Sequence, residues 1–367
     1  MKKIGIDARM YGAELNRGIG RYIEKLLDYL VQLDCDNEYF IFLRHNNFDL
    51  FNPPAENFTK VLLDIPWYSV AEQVKLPLLL RQYNLDLMHF PHFNVPIFYA
   101  GRYIVTIHDL IMTHFPSSRA TTGSVFVYKQ KVKMARWLVK QAARSAQAII
   151  APTFYIKNEV ASKLSVPSDK IMPIYEGVDK LSEQASDLSN WPIVKPFFLY
   201  VGSAYPHKNL EMLIQAFQKF NRKKNFQLVL VGRFDFFYQR LMDVIGKDSD
   251  IIIRPASNAE LVSLYRRAEL FVFPSLAEGF GLPPLEAMSQ GCPVVASRAS
   301  CLPEVLAGAA LYFDPLSCDS LIMSWQKIIE DKSLRDKLVR LGYARAEQFK
   351  WDKMAKQTLS LYQQLLP

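Results

Sequence analysis

Short apolar runs alternate with longer amphipathic segments along the whole chain. The runs, which we interpret as strands, occupy Lys3–Asp7, Tyr39–Leu43, Lys60–Asp64, Asp86–Phe90, Tyr103–His108, Ala148–Ala151, Phe197–Val201, Gln227–Val231, Ile251–Ile253, Leu270–Phe273, Val294–Ser297 and Ala310–Phe313. Helical periodicity lies between several of them, for example from Leu210 to about Phe220. Strands that alternate with helices predict an α/β fold with mostly parallel sheets.

A polar, serine-rich segment without periodicity separates two sets of runs. It lies between Glu176 and Pro196, and its composition is typical of a linker. A chain of 367 residues also suits two domains better than one core. We therefore predict a first domain at 1–176, a linker at 177–195, a second domain at 196–350 and a final amphipathic helix at 351–367.

The most informative stretch lies at 269–291. A strand ends at Phe273, a loop carries Glu278, Gly279 and Gly281, and Pro283 follows where a helix would start. Proline suits the first positions of a helix, and a glycine such as Gly291 suits its end. This interpretation places Glu286 in the first turn of the helix.

This strand–loop–helix arrangement predicts a binding site for a nucleotide sugar. Backbone N–H groups of Phe280, Gly281 and Leu282 would lie at the positive end of the helix dipole, where phosphate binds readily. Glu278 and Glu286 flank that position and can only accept hydrogen bonds when ionised. A ligand with both phosphate and hydroxyl groups fits this combination.

Three other segments carry candidate chemistry. Gly18 and Gly20 lie between the first strand and an amphipathic helix, where they form either a phosphate-binding turn or a plain connection. His108 and Asp109 lie at the carboxyl end of a predicted strand, at the edge of a parallel sheet where ligands bind. Lys208 lies near a helix start and can neutralise a departing diphosphate.

Composition and residue pattern indicate the cellular compartment of the protein. No run of eighteen or more apolar residues is present, the N-terminus does not read as a signal peptide, and the four cysteines lack metal or disulfide spacing. We expect a cytoplasmic protein.

The formal net charge of +8 includes one concentrated segment, Lys129–Arg144. It holds six basic residues and no acid, with Trp137 among them. Such a helix is typical of an anionic membrane surface, or else of a solvated face; no nucleic-acid motif accompanies it, so we expect no nucleic acid. Lipid binding would place the protein peripherally on the inner face of the cell membrane.

The segment Glu278–Glu286 resembles the E-x7-E element of retaining glycosyltransferases of family 4, and the surrounding residues resemble that family too, from Leu264 to Pro315. The resemblance implies a GT-B fold, in which two Rossmann-like domains face each other across a cleft and the last helix packs back on the first domain. It implies sugar transfer from a nucleotide sugar to an acceptor hydroxyl with retention, and no required metal or other cofactor.

The resemblance also implies roles for individual residues. The glycine loop at Gly18 would lie near the donor diphosphate, His108 would contact the donor sugar, and Asp109 would lie toward the acceptor. Glu278 would accept from a sugar hydroxyl and Glu286 from the ribose, while the leaving phosphate takes the acceptor proton. The family usually carries an arginine where this chain has Ser203, and the second cation would then be His207 or Arg233.

A narrower resemblance concerns the sugar and the acceptor. Chains with an R-G-I-G-R-Y turn and an I-H-D element resemble GDP-mannose-using enzymes of bacterial surface polysaccharide assembly, with a glycan or lipid-linked acceptor. The alternatives are a GT-B-like sugar-nucleotide epimerase and an inactive sugar-nucleotide-binding protein. A nicotinamide dehydrogenase fits less well, because no hydride chemistry accompanies the glycine turn.

Overall fold

The computed structural model describes residues 1–114, 125–179, 186–222 and 225–366. The chain divides into two compact units. The first contains the described residues up to Gly177 together with the C-terminal segment from Lys350, and the second contains those from Val178 to Phe349.

The first unit is built on a seven-stranded sheet in which all neighbouring strands are parallel, in the order β3-β2-β1-β4-β5-β6-β7. Its strands are β1 (Lys3–Asp7), β2 (Glu38–Leu43), β3 (Phe58–Leu62), β4 (Leu87–Phe90), β5 (Tyr103–Thr106), β6 (Ala148–Ala151) and β7 (Ile171–Pro173). Its helices are α1 (Ala13–Leu33), α2 (Val70–Arg81), α3 (Ile111–His114), α4 (Val125–Ser145) and α5 (Phe154–Leu164).

The second unit carries a six-stranded parallel sheet in the order β10-β9-β8-β11-β12-β13. Its strands are β8 (Phe197–Val201), β9 (Gln227–Val231), β10 (Ile251–Arg254), β11 (Leu270–Phe273), β12 (Val294–Ser297) and β13 (Ala310–Phe313). Its helices are α6 (Leu210–Asn221), α7 (Phe236–Ile245), α8 (Asn258–Arg267), α9 (Leu282–Ser289), α10 (Leu302–Leu306), α11 (Cys318–Glu330) and α12 (Lys332–Ala346). The last helix of the chain, α13 (Trp351–Leu365), belongs to the first unit.

The faces of the first sheet are covered by different helices. Met88 and Phe90 belong to an apolar core that includes residues of α2, α4 and α5. His89 lies between them in β4, so its side chain points to the opposite face. There its Nδ1 is 2.6 Å from the hydroxyl of Tyr362 in α13. Helix α13, although last in the chain, therefore packs on the first unit, where it contacts α1.

The segment interpreted as a linker has packed anchors in its described part. Trp191 is buried, and its indole N–H donates to Glu260 Oε1 at 2.9 Å. The guanidinium of Arg254 lies 4.9 Å from the Trp191 ring centre. These contacts fix residues around Trp191 against the second unit.

One local prediction for the first unit is wrong, and one strand was not predicted. Gly18 and Gly20 lie inside α1, which begins at Ala13, and not in a turn that precedes a helix. The chain enters α1 at Gly12, whose φ of 103° is the conformation that glycine tolerates best. Strand β7 was not predicted, because three residues that end in proline carry no readable alternation.

Candidate active site

In the second unit, the loops that carry predicted donor-binding residues lie at the carboxyl ends of the strands. Lys208 follows β8, Arg233 follows β9, and Glu278 follows β11. In parallel α/β sheets this edge is where ligands bind. The distances between the side chains of these loops therefore show which of the candidate residues can act together.

Lys208 and Glu278 form an ion pair across 70 residues of sequence. Lys208 Nζ lies 2.6 Å from Glu278 Oε1, and both side chains are largely buried. The ammonium also lies 5.6 Å from the ring centre of Phe273, at the end of β11. The structure thus brings together two residues that the sequence placed on separate motifs.

The turn before α6 fixes the position of Lys208. Lys208 ends a short 3-10 helix, and Asn209 then adopts a left-handed conformation with φ of 60°. Asparagine tolerates this region well. Its side-chain amide donates to the carbonyls of Pro274 at 3.3 Å and Pro315 at 2.8 Å, which ties the turn to the loop after β11.

Ser300 and Cys301, which sequence reasoning missed, hold the loop that carries Glu278. Ser300 Oγ accepts from the Glu278 N–H at 3.0 Å. The Cys301 thiol donates to the carbonyls of Glu278 and Phe280, at 3.3 and 3.4 Å. Burial raises the pKa of the Cys301 thiol, so it keeps the proton that it donates. The sequence signal was weak, because a lone buried cysteine has no spacing to read.

Helix α9 begins directly after Gly281, one residue earlier than the prolines suggested. Gly281 has φ of 95° and ψ of 65°, and its backbone turns the chain into the helix with no side-chain cap. Leu282 is therefore the first helical residue, and Glu286 is the fifth. The prediction that Glu286 lies in the first turn is wrong, because a turn takes 3.6 residues.

Glu286 nevertheless lies in the same region and is buried. The hydroxyl of Tyr265 in α8 donates to Glu286 Oε2 at 3.1 Å. This contact orients the carboxylate from the side of α8. Tyr265 lies within the segment from Leu264 to Pro315 that resembles the family, but the sequence indicates no role for it.

The structure separates the two candidates for the second cation. His207 lies beside Lys208, and burial together with that charge lowers the pKa of His207 to about 4. His207 is therefore neutral at pH 7 and supplies no positive charge. Arg233 is exposed at the end of β9. Ser203 lies at the end of the neighbouring strand β8, where its carbonyl accepts from the Tyr200 hydroxyl at 2.7 Å.

In the first unit, both ring nitrogens of His108 contact acceptors. Nδ1 is 3.0 Å from Glu176 Oε1, and Nε2 is 3.0 Å from the carbonyl of Pro91. Both acceptors need an N–H donor, which describes an imidazolium ring. Burial opposes this charge, but the hydrogen bond and charge of Glu176 outweigh it and raise the pKa of His108. Asp109 Oδ1 accepts from the Ile111 N–H at 2.8 Å, at the start of α3.

A buried ionic network supports the loops at the same edge of the first sheet. Arg9 Nη2 lies 2.7 Å from both Asp7 Oδ2 and Glu72 Oε1. Asn94 donates to Glu72 Oε1 at 2.7 Å. Burial disfavours the charge on Arg9, but the two carboxylates outweigh it and raise its pKa. No short motif links these positions, so the network could not be predicted from the sequence.

We expect Glu176→Gln to lower the pKa of His108, because it removes the carboxylate that stabilises the imidazolium. The pair stabilises the fold fully below the ordinary histidine pKa of 6.5, and this contribution is lost as pH rises through the raised pKa of His108. The thermal stability advantage of wild type over Glu176→Gln should therefore shrink with rising pH. NMR titration of the ring measures the pKa directly, and an identical pKa in the variant would refute the assignment.

The described residues include no group of three or more His, Cys, Asp and Glu side chains that could hold a metal ion. Within the same described ranges, no helix is long and apolar enough to cross a bilayer.

Comparison with known proteins assigns the chain to a class. The model of group 1 glycosyl transferases matches residues 183–345, and the model of glycosyltransferase family 4 matches residues 16–180. O-antigen chain mannosyltransferase RfbU of Salmonella typhimurium is 30% identical over 288 residues, which cover 77% of this chain and 75% of the relative. The protein is a glycosyltransferase enzyme. It belongs to the group 1 family, and its N-terminal half is of the family 4 type.

Solved structures confirm the predicted fold class. Sucrose-phosphate synthase from Thermosynechococcus elongatus superposes with a TM-score of 0.77 at 20% identity, covering 100% of this chain and 99% of that one. Anabaena HepE in complex with UDP and glucose gives 0.73 at 19% identity, covering 99% and 100%. Both likenesses concern the fold, which is two parallel-sheet α/β domains of the GT-B type.

Proposed function

We propose that the protein transfers mannose from GDP-mannose to a hydroxyl of a glycan or lipid-linked acceptor, with retention, in bacterial surface polysaccharide assembly. The family supplies the reaction class. The mannosyl donor is supported by the relative RfbU, whose name describes an O-antigen chain mannosyltransferase. A nucleotide donor is supported by the neighbour HepE, which holds UDP and glucose.

The observation that carries this proposal is the Lys208–Glu278 pair at the carboxyl edge of the second sheet, with a separation of 2.6 Å. In the proposed complex the Lys208 ammonium binds the donor diphosphate, and Glu278 accepts from a hydroxyl of the donor sugar. Glu286 accepts from the ribose. Gly279, Phe280 and Leu282 line the phosphate position with their backbone.

The chemical requirement is stabilisation of the leaving group. As the bond between sugar and phosphate breaks, negative charge grows on the diphosphate, and preorganised cations and N–H groups lower the barrier. Since His207 is neutral, we assign the second positive charge to Arg233. The leaving phosphate takes the proton of the acceptor hydroxyl, so no protein nucleophile is required. The roles of His108, Asp109, Gly18 and Gly20 stay predictions from the family resemblance.

Thermal shift with a panel of GDP-, UDP- and ADP-sugars tests the donor assignment. A ligand at one hundred times its dissociation constant adds about 2.7 kcal/mol of stability. We expect GDP-mannose to raise the melting temperature more than UDP-glucose or ADP-glucose does at equal concentration. A larger shift of the melting temperature with a UDP- or ADP-sugar would assign that nucleotide sugar as the donor, without any effect on the assignment of the enzyme class.

Activity should survive chelation. The proposal assigns charge stabilisation to Lys208, Arg233 and backbone N–H groups, so the reaction needs no metal ion. Initial rates with and without EDTA should agree within error. Abolition by EDTA, with rescue by Mn²⁺ or Mg²⁺, would contradict this part of the proposal.

We further propose that α4 binds an anionic membrane surface, where a lipid-linked acceptor would be found. Trp137 is 45% exposed among exposed cations, whereas Val139 and Ala143 are buried in the core of the first unit. Each basic residue near a negatively charged bilayer contributes about 1 kcal/mol. Tryptophan side chains favour the membrane interface.

The double variant Lys131→Glu/Lys133→Glu should lose binding to phosphatidylglycerol vesicles at low salt, because it reverses two exposed charges of α4. High salt should weaken the binding of wild type, since screening shortens the electrostatic reach. The matched control is Lys332→Glu/Lys337→Glu, which reverses two exposed charges in α12 of the second unit. Equal sedimentation of both variants with vesicles would refute the role of α4.

A further inference from the structure

Helix α2 exposes an apolar stripe on the side that faces away from the core. Val70, Val74 and Leu78 recur at four-residue spacing and are exposed, while Leu76 and Leu80 on the other side are buried. Residues four apart lie on one face of a helix. A helix that is apolar on both faces needs a second apolar environment besides the core.

A groove of about 630 Å³ runs beside this stripe. One wall is formed by α2, including Val74 and Leu78, and the other by residues 98–101 of the loop between β4 and β5. At the tip of this loop, Phe98 is 67% exposed and the neighbouring Ile97 is 40% exposed. Contiguous exposed apolar surface of this kind marks a binding surface for a protein or a membrane.

The groove is connected to the basic helix α4 through packed side chains. Tyr99 lines the groove and packs on Tyr103, with ring centres 6.0 Å apart. The Tyr103 hydroxyl donates to the carbonyl of Ala142 in α4 at 3.0 Å. Residues of α2 and α4 also share the apolar core on one face of the first sheet. Their outer sides therefore belong to the same side of the first unit.

The charged side chains of α2 and α4 indicate which partner binds this surface. Lys131, Lys133, Arg136 and Arg144 are exposed on α4, and Lys75 and Arg81 are exposed on α2. The sequence of α4 contains no acid, and the one acid of α2, Glu72, is buried against Arg9. A second copy of this chain would place like charges opposite each other, which is unfavourable. An anionic bilayer offers both complementary charge and an apolar interior.

We propose that the α2 stripe and the tip of the 97–101 loop insert into the acyl layer of an anionic bilayer, while the cations of α4 contact its headgroups. This inference deepens the membrane contact proposed for α4 and rests on it. It makes the first unit a monotopic domain that is held by two different forces. The electrostatic part weakens with salt, whereas the apolar part does not.

The test uses the full chain and vesicles that contain phosphatidylglycerol, at low and high salt. The double variant Leu78→Ser/Phe98→Ser removes apolar surface without a change in charge. We expect its partition coefficient to fall by roughly two orders of magnitude or more, as for the withdrawal of two large apolar side chains from lipid. The loss should persist at high salt. Matched surface substitutions, Leu316→Ser/Met323→Ser, alter two exposed apolar residues of the second unit and should bind like wild type.

A second variant reports insertion without a loss of binding. In Phe98→Trp, the added fluorescence should be quenched by lipids with brominated acyl chains, more strongly than wild-type fluorescence is. Equal quenching in the variant and wild type would place residue 98 outside the acyl layer and overturn the inference.

The remaining outcomes separate the proposals. If Leu78→Ser/Phe98→Ser binds vesicles like wild type while the α4 charge reversal does not, the α4 contact stands and the inserted surface is wrong. If the serine variant instead converts a wild-type dimer to a monomer in analytical ultracentrifugation without any effect on vesicle binding, the surface joins two copies and the inference is overturned. Transfer of mannose from GDP-mannose to a water-soluble acceptor is measured without vesicles, so its absence would count against the proposed reaction and not against the inserted surface.

Discussion

Lys208→Ala should lower kcat by roughly 10²–10³-fold, the loss typical for removal of one preorganised charge-stabilising group. Donor affinity should change much less. The reason is that charge on the diphosphate grows as the bond to the sugar breaks, so the ammonium matters most in the transition state. Steady-state kinetics with saturating acceptor, together with calorimetry of donor binding, separates the two effects.

The ion pair with Glu278 calls for a matched control. Lys208→Ala leaves the Glu278 carboxylate without its partner at 2.6 Å, which itself perturbs the loop. Lys208→Arg keeps a positive charge there and should retain more activity than Lys208→Ala. A Lys208→Ala enzyme within a few-fold of wild type would move the role to Arg233, and Arg233→Ala would then show the larger loss.

Glu286→Ala should weaken donor binding by about 1.5–3 kcal/mol, the cost of losing a hydrogen bond to a charged group. This corresponds to roughly a ten- to 150-fold rise in the donor Kd. The buried carboxylate is oriented by the Tyr265 hydroxyl and, in our proposal, accepts from the ribose. Calorimetry with the nucleotide sugar measures the effect, and thermal unfolding shows whether the variant remains folded.

Tyr265→Phe is the control for this second prediction. It removes the hydrogen bond from the Tyr265 hydroxyl to Glu286 and leaves the carboxylate in place, so donor affinity should fall by less than in Glu286→Ala. An unchanged donor Kd in Glu286→Ala would show that the ribose role is wrong. A loss of equal size in both variants would assign Glu286 to holding α8 and α9 together.

Strands were the part of the fold that sequence predicted best. The bounds of β8 and β11 agree with the prediction to the residue, because each is a buried run bounded by polar or turn-forming residues. Helix starts were less readable. Gly18 and Gly20 resemble a turn in sequence, yet α1 continues through them, since glycine lowers helix stability by only about 1 kcal/mol.

The residues of the candidate site also differ in how well they could be predicted from the sequence. Residues carried by one local motif, such as Glu278 and Glu286, could be proposed from the sequence. Partners that meet only in three dimensions could not, as Glu176 shows: it lies 68 residues from His108. The exposed face of α2 could not be predicted either, because a helix with apolar residues on both faces has no clear amphipathic pattern to orient it.

Retaining transfer of mannose from GDP-mannose can be followed by time-resolved proton NMR of this donor with the enzyme and a panel of glycoside acceptors. We expect the anomeric signal of the donor to be replaced by free GDP and by a new α-mannosyl signal. A β-mannosyl product would contradict retention. Intact GDP-mannose in the presence of an acceptor that the enzyme glycosylates from a UDP-sugar would contradict the proposed donor.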